Sequence, residues 1–522
     1  MTLALVLLSS AAAAQDSEES DDDVRSGVDS DFIDTRLTAA FGDDNILGPT
    51  EESLPLSTLP NFSDRAAYQL FYDNLNTRFT SRETLTHLVL YRELPAFLRD
   101  VTTEAALVFR IDASAPFFQD TGSFLGIRYN PWVDAPDDGL RVTIFPLNSD
   151  RFRVGYLFDI SQSGFENVFT ISGLGGLSGE GGLLRSPGLR FEFERGVFGA
   201  TLGFKTSLAN TAGTVSAEGA QIRLAETQYG FLGGAFVDLF GDRLRLDVSG
   251  GFFQLGELDL APAYPTDPLY RGTVAGRISW RRNLDLAPSL DVRLYRNDPN
   301  EPFLAFAPTR YVPGQLGYLL SVEGTWLTQR VADSDRPGVA GAPGPLENEP
   351  GFAGAAQFRL QYDYLRVELT GLLRDLSFVL KNSDGLPQAT SIPDDANPTI
   401  EWFVAATADY HFPDARLTLG VSGGLQFPAS FEEAQAEGSV VTVVPQNGRS
   451  VQLSLNDEVE PVVQSRIHAR WDLSEMLYTR AWIQYVYDPN GGVLVITQGE
   501  DTQQVEVDPH RFGFGLSAAA RF

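Results

Sequence analysis

The sequence predicts an all-β fold, an antiparallel up-and-down barrel that spans a membrane. Three observations predict it. Apolar and polar residues alternate with period two from residue 104 nearly to the end of the chain. The connections between alternating stretches are short and long by turns. Large aromatics gather near the ends of the apolar faces.

Composition sets the outer limits. The chain has 522 residues, of which 43% are apolar, and its mean hydropathy is −0.11. After the first residues no apolar run is long enough for a spanning helix. A barrel tolerates such polarity because only every second strand residue meets lipid. Cysteine is absent, so no disulfide or thiolate metal site exists. The net charge of −30 excludes nucleic acid as a partner. Basic charge is almost all arginine; Lys205 and Lys381 are the lysines.

Along the chain, residues 1–14 read as a signal peptide, a short apolar stretch with Ala12 and Ala14 before Gln15. No Lys or Arg precedes it. Residues 15–60 form an acidic, irregular segment, from Gln15–Asp23 to Pro49, Pro55 and Pro60. Residues 61–102 are expected to be a short helical segment, a plug in the lumen or a cap at its mouth. There Ala67, Leu70, Phe71, Leu75 and Phe79 repeat at three and four behind Ser63. Leu85, Leu88 and Val89 follow Ser81, although the β-branched Thr84, Thr86 and Val89 also suit a strand. The barrel then occupies 103–522.

Within it, two faces separate by parity. Leu107, Phe109 and Ile111 oppose Glu104 and Arg110. Phe152, Val154, Tyr156, Phe158 and Ile160 oppose Arg151, Arg153 and Asp159. Leu189, Phe191 and Phe193 oppose Arg190 and Glu192. Similar faces recur at 244–252, 274–281, 365–374, 400–410, 416–426 and 463–471. Short turns are expected at Gly196, Gly241-Asp242, Asp363-Tyr364, Pro413-Asp414 and 472–475. Long Gly-, Pro- and acid-rich loops fall at 208–225, 254–269, 329–352, 377–397, 428–459 and 488–509. The order of up and down strands calls for one more strand between 283 and 313, supplied by Phe303–Arg310 despite Pro308. The count is about 18 strands, with about 16 to 20 allowed. Trp280, Trp326, Trp402, Trp471 and Phe412 take the lipid face; Trp482 takes the lumen face.

The chain ends in an alternating segment. Phe512, Phe514, Leu516, Ala518, Ala520 and the terminal Phe522 share one face. This resembles the last strand of porin-like bacterial outer-membrane β-barrels. The resemblance implies an exported protein of a Gram-negative outer membrane, with Phe512, Phe514 and Phe522 as a C-terminal assembly signal. It implies the barrel-assembly machinery, outer-membrane lipid and lipopolysaccharide as partners, with other envelope proteins as further candidates.

The lumen face is the candidate functional surface. Arg153, Arg190, Arg243, Arg245, Arg271, Arg277, Arg366, Arg416, Arg466, Arg470 and Arg480 have inward parity, as do Glu192, Glu323, Glu368 and Glu401. Guanidinium groups bind carboxylate and phosphate bidentately and keep their charge. A ring of them favours anions. Internal Arg–Glu pairing that only stiffens the wall is the competing reading. The expected function is passive transport or export of polar or anionic solutes. The alternative is a structural barrel within a surface, secretion or motility complex. His87, His411, His468 and His510 make no ligand spacing, so no enzyme, metal or cofactor is expected.

Overall fold

The computed structural model describes residues 34–43, 84–147, 187–207, 228–258, 267–284, 311–335, 345–380, 391–474 and 477–521, with short gaps in some stretches. It also describes a few residues at 149–155 and 213–222. The expected signal peptide, the helical repeat at 63–79 and Phe522 lie outside the described residues.

Nineteen hydrogen-bonded segments make one sheet. Two of them, Phe118–Asp120 and Phe124–Tyr129, pair in sequence with the same neighbour and form one interrupted strand. Eighteen wall strands result. They are β1 (Asp34–Asp43), β2 (Thr84–Leu98), β3 (Val101–Asp112), β4 (the interrupted strand), β5 (Gly139–Phe145) and β6 (Gly188–Arg195). Next come β7 (Phe198–Ser207), β8 (Gln228–Leu239), β9 (Leu244–Leu258), β10 (Asp267–Arg282), β11 (Leu316–Ala332) and β12 (Leu346–Tyr362). The last are β13 (Leu365–Arg374), β14 (Glu401–Phe412), β15 (Leu417–Phe427), β16 (Val462–Asp472), β17 (Leu477–Tyr487) and β18 (His510–Arg521). All pairings are antiparallel between chain neighbours. β18 then pairs with β1, from Arg36↔Arg521 to Asp43↔Phe514, and β1 pairs with β2. The pairings therefore run full circle, which leaves the wall no open edge.

The strand count agrees with the sequence reading, but the strands differ. β1 lies in the stretch read as irregular, and β2 in the stretch read as helical. The wall thus begins well before residue 103. The strand expected at 303–310 lies outside the described residues. β10 pairs directly with β11 from Arg271↔Gln329 to Arg282↔Tyr318, so nothing inserts between them.

One rim carries tight turns, at 196–197, 240–243, 363–364 and 413–416, and there too β16 leads into β17. Gly196 and Gly241 adopt φ of +57° and +65°, a conformation glycine reaches without strain. Asp363 does so at +51°, which a short polar side chain tolerates. The opposite rim carries the long excursions. β9, β11 and β12 run further toward it than the loop signals implied. A short helix, α1 (Leu376–Leu380), follows β13 on that side. Among the described residues no helix is long and apolar enough to cross a membrane.

The two faces of the wall are sorted by chemistry. Ile278, Val274, Leu369, Val421, Ile467 and Ile483 point outward and are exposed, while Arg277, Glu368, Glu401, Thr407 and His468 point inward and are buried. This inverts a soluble protein and matches a wall between lipid and a lumen. Aromatics crowd the outer face near both rims. Trp280, Tyr362, Tyr410, Phe412 and Trp471 are exposed toward the turn side, and Phe252, Trp326, Phe352 and Trp402 toward the loop side. Trp402 stacks on Phe427 with centroids 3.9 Å apart. Two such belts are what a bilayer's interfaces select.

Candidate functional site: the inner wall

Acidic and basic groups on most of the inner wall are matched between strands. Arg141 pairs with Glu104. Arg245 pairs with Asp238, its Nε donating over 2.8 Å. Arg277 reaches Asp247 at 2.8 Å, Arg359 reaches Glu368 at 3.0 Å, and Arg366 reaches Asp409 at 2.6 Å. Arg374 donates from Nε to Glu401 over 2.7 Å. Arg141 meets Glu104 across the intervening β4, where Gly126 stands opposite Glu104; the other pairs are direct cross-strand pairs set by the register, such as Arg366↔Asp409 and Arg374↔Glu401.

One sector differs. The inward positions of β15 are Thr418, Gly420, Ser422, Gly424 and Gln426, and β16 adds Gln464, Arg466, His468 and Arg470. β17 follows with Tyr478, Arg480, Trp482 and Gln484, and β18 with Arg511. Among these described residues the one carboxylate is Asp472, bonded to Arg470 at the turn-side end. Arg470 faces Arg480 directly. Like charges in that position repel. Both guanidiniums lie near the Tyr478 ring, at 4.3 and 5.3 Å from its centroid, and Arg466 lies 5.8 Å from that of Trp482. An aromatic face attracts a cation without neutralising it.

The remaining arginines named from sequence fall in different places. Arg190 is buried beside Glu192, and Arg271 is buried on β10. Arg243 and Arg416 do not face the lumen; they are exposed in tight turns, where Arg416 has φ +50° and ends a single 3-10 turn. The parity rule failed there because alternation stops at the strand end. Arg153 lies outside the described residues. Phe512 and Phe514 are on the outer side of β18.

Of the 151–160 stretch, Phe152, Val154 and Gly155 are described. Phe152 and Val154, expected to face lipid, are buried inside with Phe124, Phe145, Leu232 and Phe253. Phe152 stacks parallel to Phe145 at 6.0 Å and lies between Arg190 and Lys205, 5.6 and 5.8 Å from its centroid. Gly203 leaves the room: a Cβ there would strike the Phe152 ring. The same device seats Phe236 against Gly199, Trp482 against Gly515 and His468 against Gly420. On the other side, α1 packs Phe378 against Leu327, Leu372, Phe403 and Val462. Two loops are therefore anchored inside the wall by apolar residues. The inward glycines were the sequence signal for these ring seats. Gly203→Ala is expected to cost about 1–3 kcal/mol through overpacking, read as a lower urea midpoint.

No family model matches the chain, and no curated protein matches it. It is similar to solved structures of bacterial proteins. Pseudomonas aeruginosa OpdK with vanillate shows 9% identity, 94% of this chain and 98% of that one covered, and a TM-score of 0.42. Acinetobacter baumannii OccAB1 shows 8%, 94%, 95% and 0.45. Pseudomonas putida OprB shows 10%, 94%, 94% and 0.39. Likeness at this level says nothing about cargo.

Proposed function

We propose that the chain is an outer-membrane channel whose anionic solutes follow the carboxylate-poor sector formed by Arg466, Arg470, Arg480 and Arg511. One observation carries this reading. Among the described residues, inward arginines of β8 to β14 such as Arg245, Arg277, Arg359, Arg366 and Arg374 each stand opposite a carboxylate, whereas β16, β17 and β18 carry Arg466, Arg470, Arg480 and Arg511 with Asp472 as the inward carboxylate within those strands and Asp488 just beyond β17 beside Arg511. Guanidinium groups aimed into a lumen lower the energy of a passing anion and raise that of a cation.

The test is planar-bilayer recording under a salt gradient. The wild type is expected to give steady single-channel currents with a reversal potential on the anion side. Arg466→Gln with Arg480→Gln is expected to move that potential toward zero. An unchanged potential removes the arginine path. The apolar anchors at Phe152 and Phe378 favour a second reading, a filled barrel that serves as scaffold for an envelope complex; absence of current supports it. β2 belongs to the wall, so residues 84–98 are not a removable plug.

A further inference from the structure

The turn-side rim has one long connection, residues 283–315 between β10 and β11. Its last residues do not stay beneath β11, which they enter. Gly314 donates its backbone N–H to the Asp363 carboxylate in the β12–β13 turn. Tyr311 reaches still further, to β14. Its hydroxyl donates to Asp409 Oδ1 over 3.2 Å. Its ring lies parallel to His411, with centroids 4.9 Å apart and 6° between planes, and 6.1 Å from Tyr364. Asp409 is an inward residue whose other oxygen, Oδ2, accepts from Arg366 Nε over 2.8 Å. Neighbouring strands lie about 4.8 Å apart. The segment therefore crosses the ends of several strands to place one aromatic inside the mouth. A residue that merely closed a turn gains nothing from that crossing.

We propose that Tyr311 is a strap across the turn-side mouth and a determinant of ion selectivity there. Its phenol occupies Oδ1 of Asp409 while Arg366 occupies Oδ2, so the carboxylate is screened from the lumen. Its ring takes up cross-section beside His411. Removing the hydroxyl leaves Oδ1 open to permeating cations, which opposes the nearby guanidinium of Arg366. Removing the whole ring also widens the mouth. The proposal rests on the channel reading.

The test uses the full chain in planar bilayers under a potassium chloride gradient, with Tyr311→Phe, Tyr311→Ala and Tyr311→Ala combined with Asp409→Asn. Folding of each variant is checked by its heat-dependent shift on a gel. Tyr311→Phe keeps the stack on His411; it is expected to hold wild-type conductance and shift the reversal potential toward cations. Tyr311→Ala is expected to give the same shift with a larger conductance. Adding Asp409→Asn is expected to abolish the shift and keep the larger conductance. A wild-type reversal potential in Tyr311→Phe, or an unchanged conductance in Tyr311→Ala, overturns the strap. A wild type that passes no current sinks both the strap and the channel. A conducting wild type whose selectivity ignores Arg466 and Arg480 removes the arginine path alone, and the Tyr311 variants still decide the strap.

Discussion

Replacing Arg374 with Met is expected to cost the barrel about 3–5 kcal/mol, the usual penalty for stripping one partner from a buried ion pair. Glu401 is 0% exposed and Arg374 only 4%. They stand opposite each other on β14 and β13, joined through Arg374 Nε at 2.7 Å. Gln426 also donates to the Glu401 carboxylate. Without the guanidinium, the buried carboxylate loses its directly opposed cation. The backbone adds to the effect, because Asp375, the next residue, anchors α1. Its Oδ1 accepts from the Phe378 N–H at 2.8 Å and its Oδ2 from the Phe352 N–H at 2.7 Å. A shift of Arg374 therefore loosens the seat of Phe378. Arg374→Met with Glu401→Met removes both charges and is expected to recover most of the loss, because no uncompensated ion remains. Urea unfolding in lipid, followed by tryptophan fluorescence, measures both. A single variant as stable as wild type would mean that water reaches the pair and that the upper lumen is open beside β13.

Much of the wall was legible because lipid imposes a local rule. Every second residue must be apolar, and Val274, Ile278, Leu369 and Ile467 obey it without reference to any partner. Turns were legible for the same reason; Gly241-Asp242 carries its own conformational signal. The missed strands lack that autonomy. Asp34–Asp43 holds two large apolar residues, Leu37 and Phe41, spaced four apart, which suggests a helix if anything. Thr84–Leu98 carries Leu85, Leu88 and Val89, whose spacing is helical as well. Closure decided both: β3 and β18 each need a partner, since an unpaired edge is untenable in hydrocarbon. Alternation also cannot say which side is which. Phe152 and Val154 alternate as a lipid face does, yet they fill the interior. In the candidate site, the arginines could be read from parity, but their partners could not. Asp238, Asp409 and Glu401 meet Arg245, Arg366 and Arg374 through registers fixed by the whole sheet. Tyr311 sits in a connection, where no periodicity marks it.

Ile467→Arg tests the claim on which the lumen itself depends, that lipid covers the outer face. Val421, Ile467 and Ile483 form a direct cross-strand row continuing to Phe514. They are 55%, 64% and 62% exposed, and they sit midway along strands whose ends carry aromatics such as Trp471. Apolar area on this scale does not stay in contact with water in a monomeric soluble protein. If hydrocarbon covers it, an arginine at the row is desolvated, and the expected cost is about 2–4 kcal/mol. The cost must also depend on depth. Leu477→Arg, at the turn-side start of β17, reaches the headgroup layer and is expected to cost about 0–1 kcal/mol. Water predicts otherwise: an arginine on a solvated surface changes stability by about 0.5 kcal/mol at most, wherever it stands. Unfolding in vesicles therefore separates the two cases by gradient as well as by size. Equal, small effects at 467 and 477 would put water on the outer face, and with it go the lumen, the arginine sector and the strap at Tyr311.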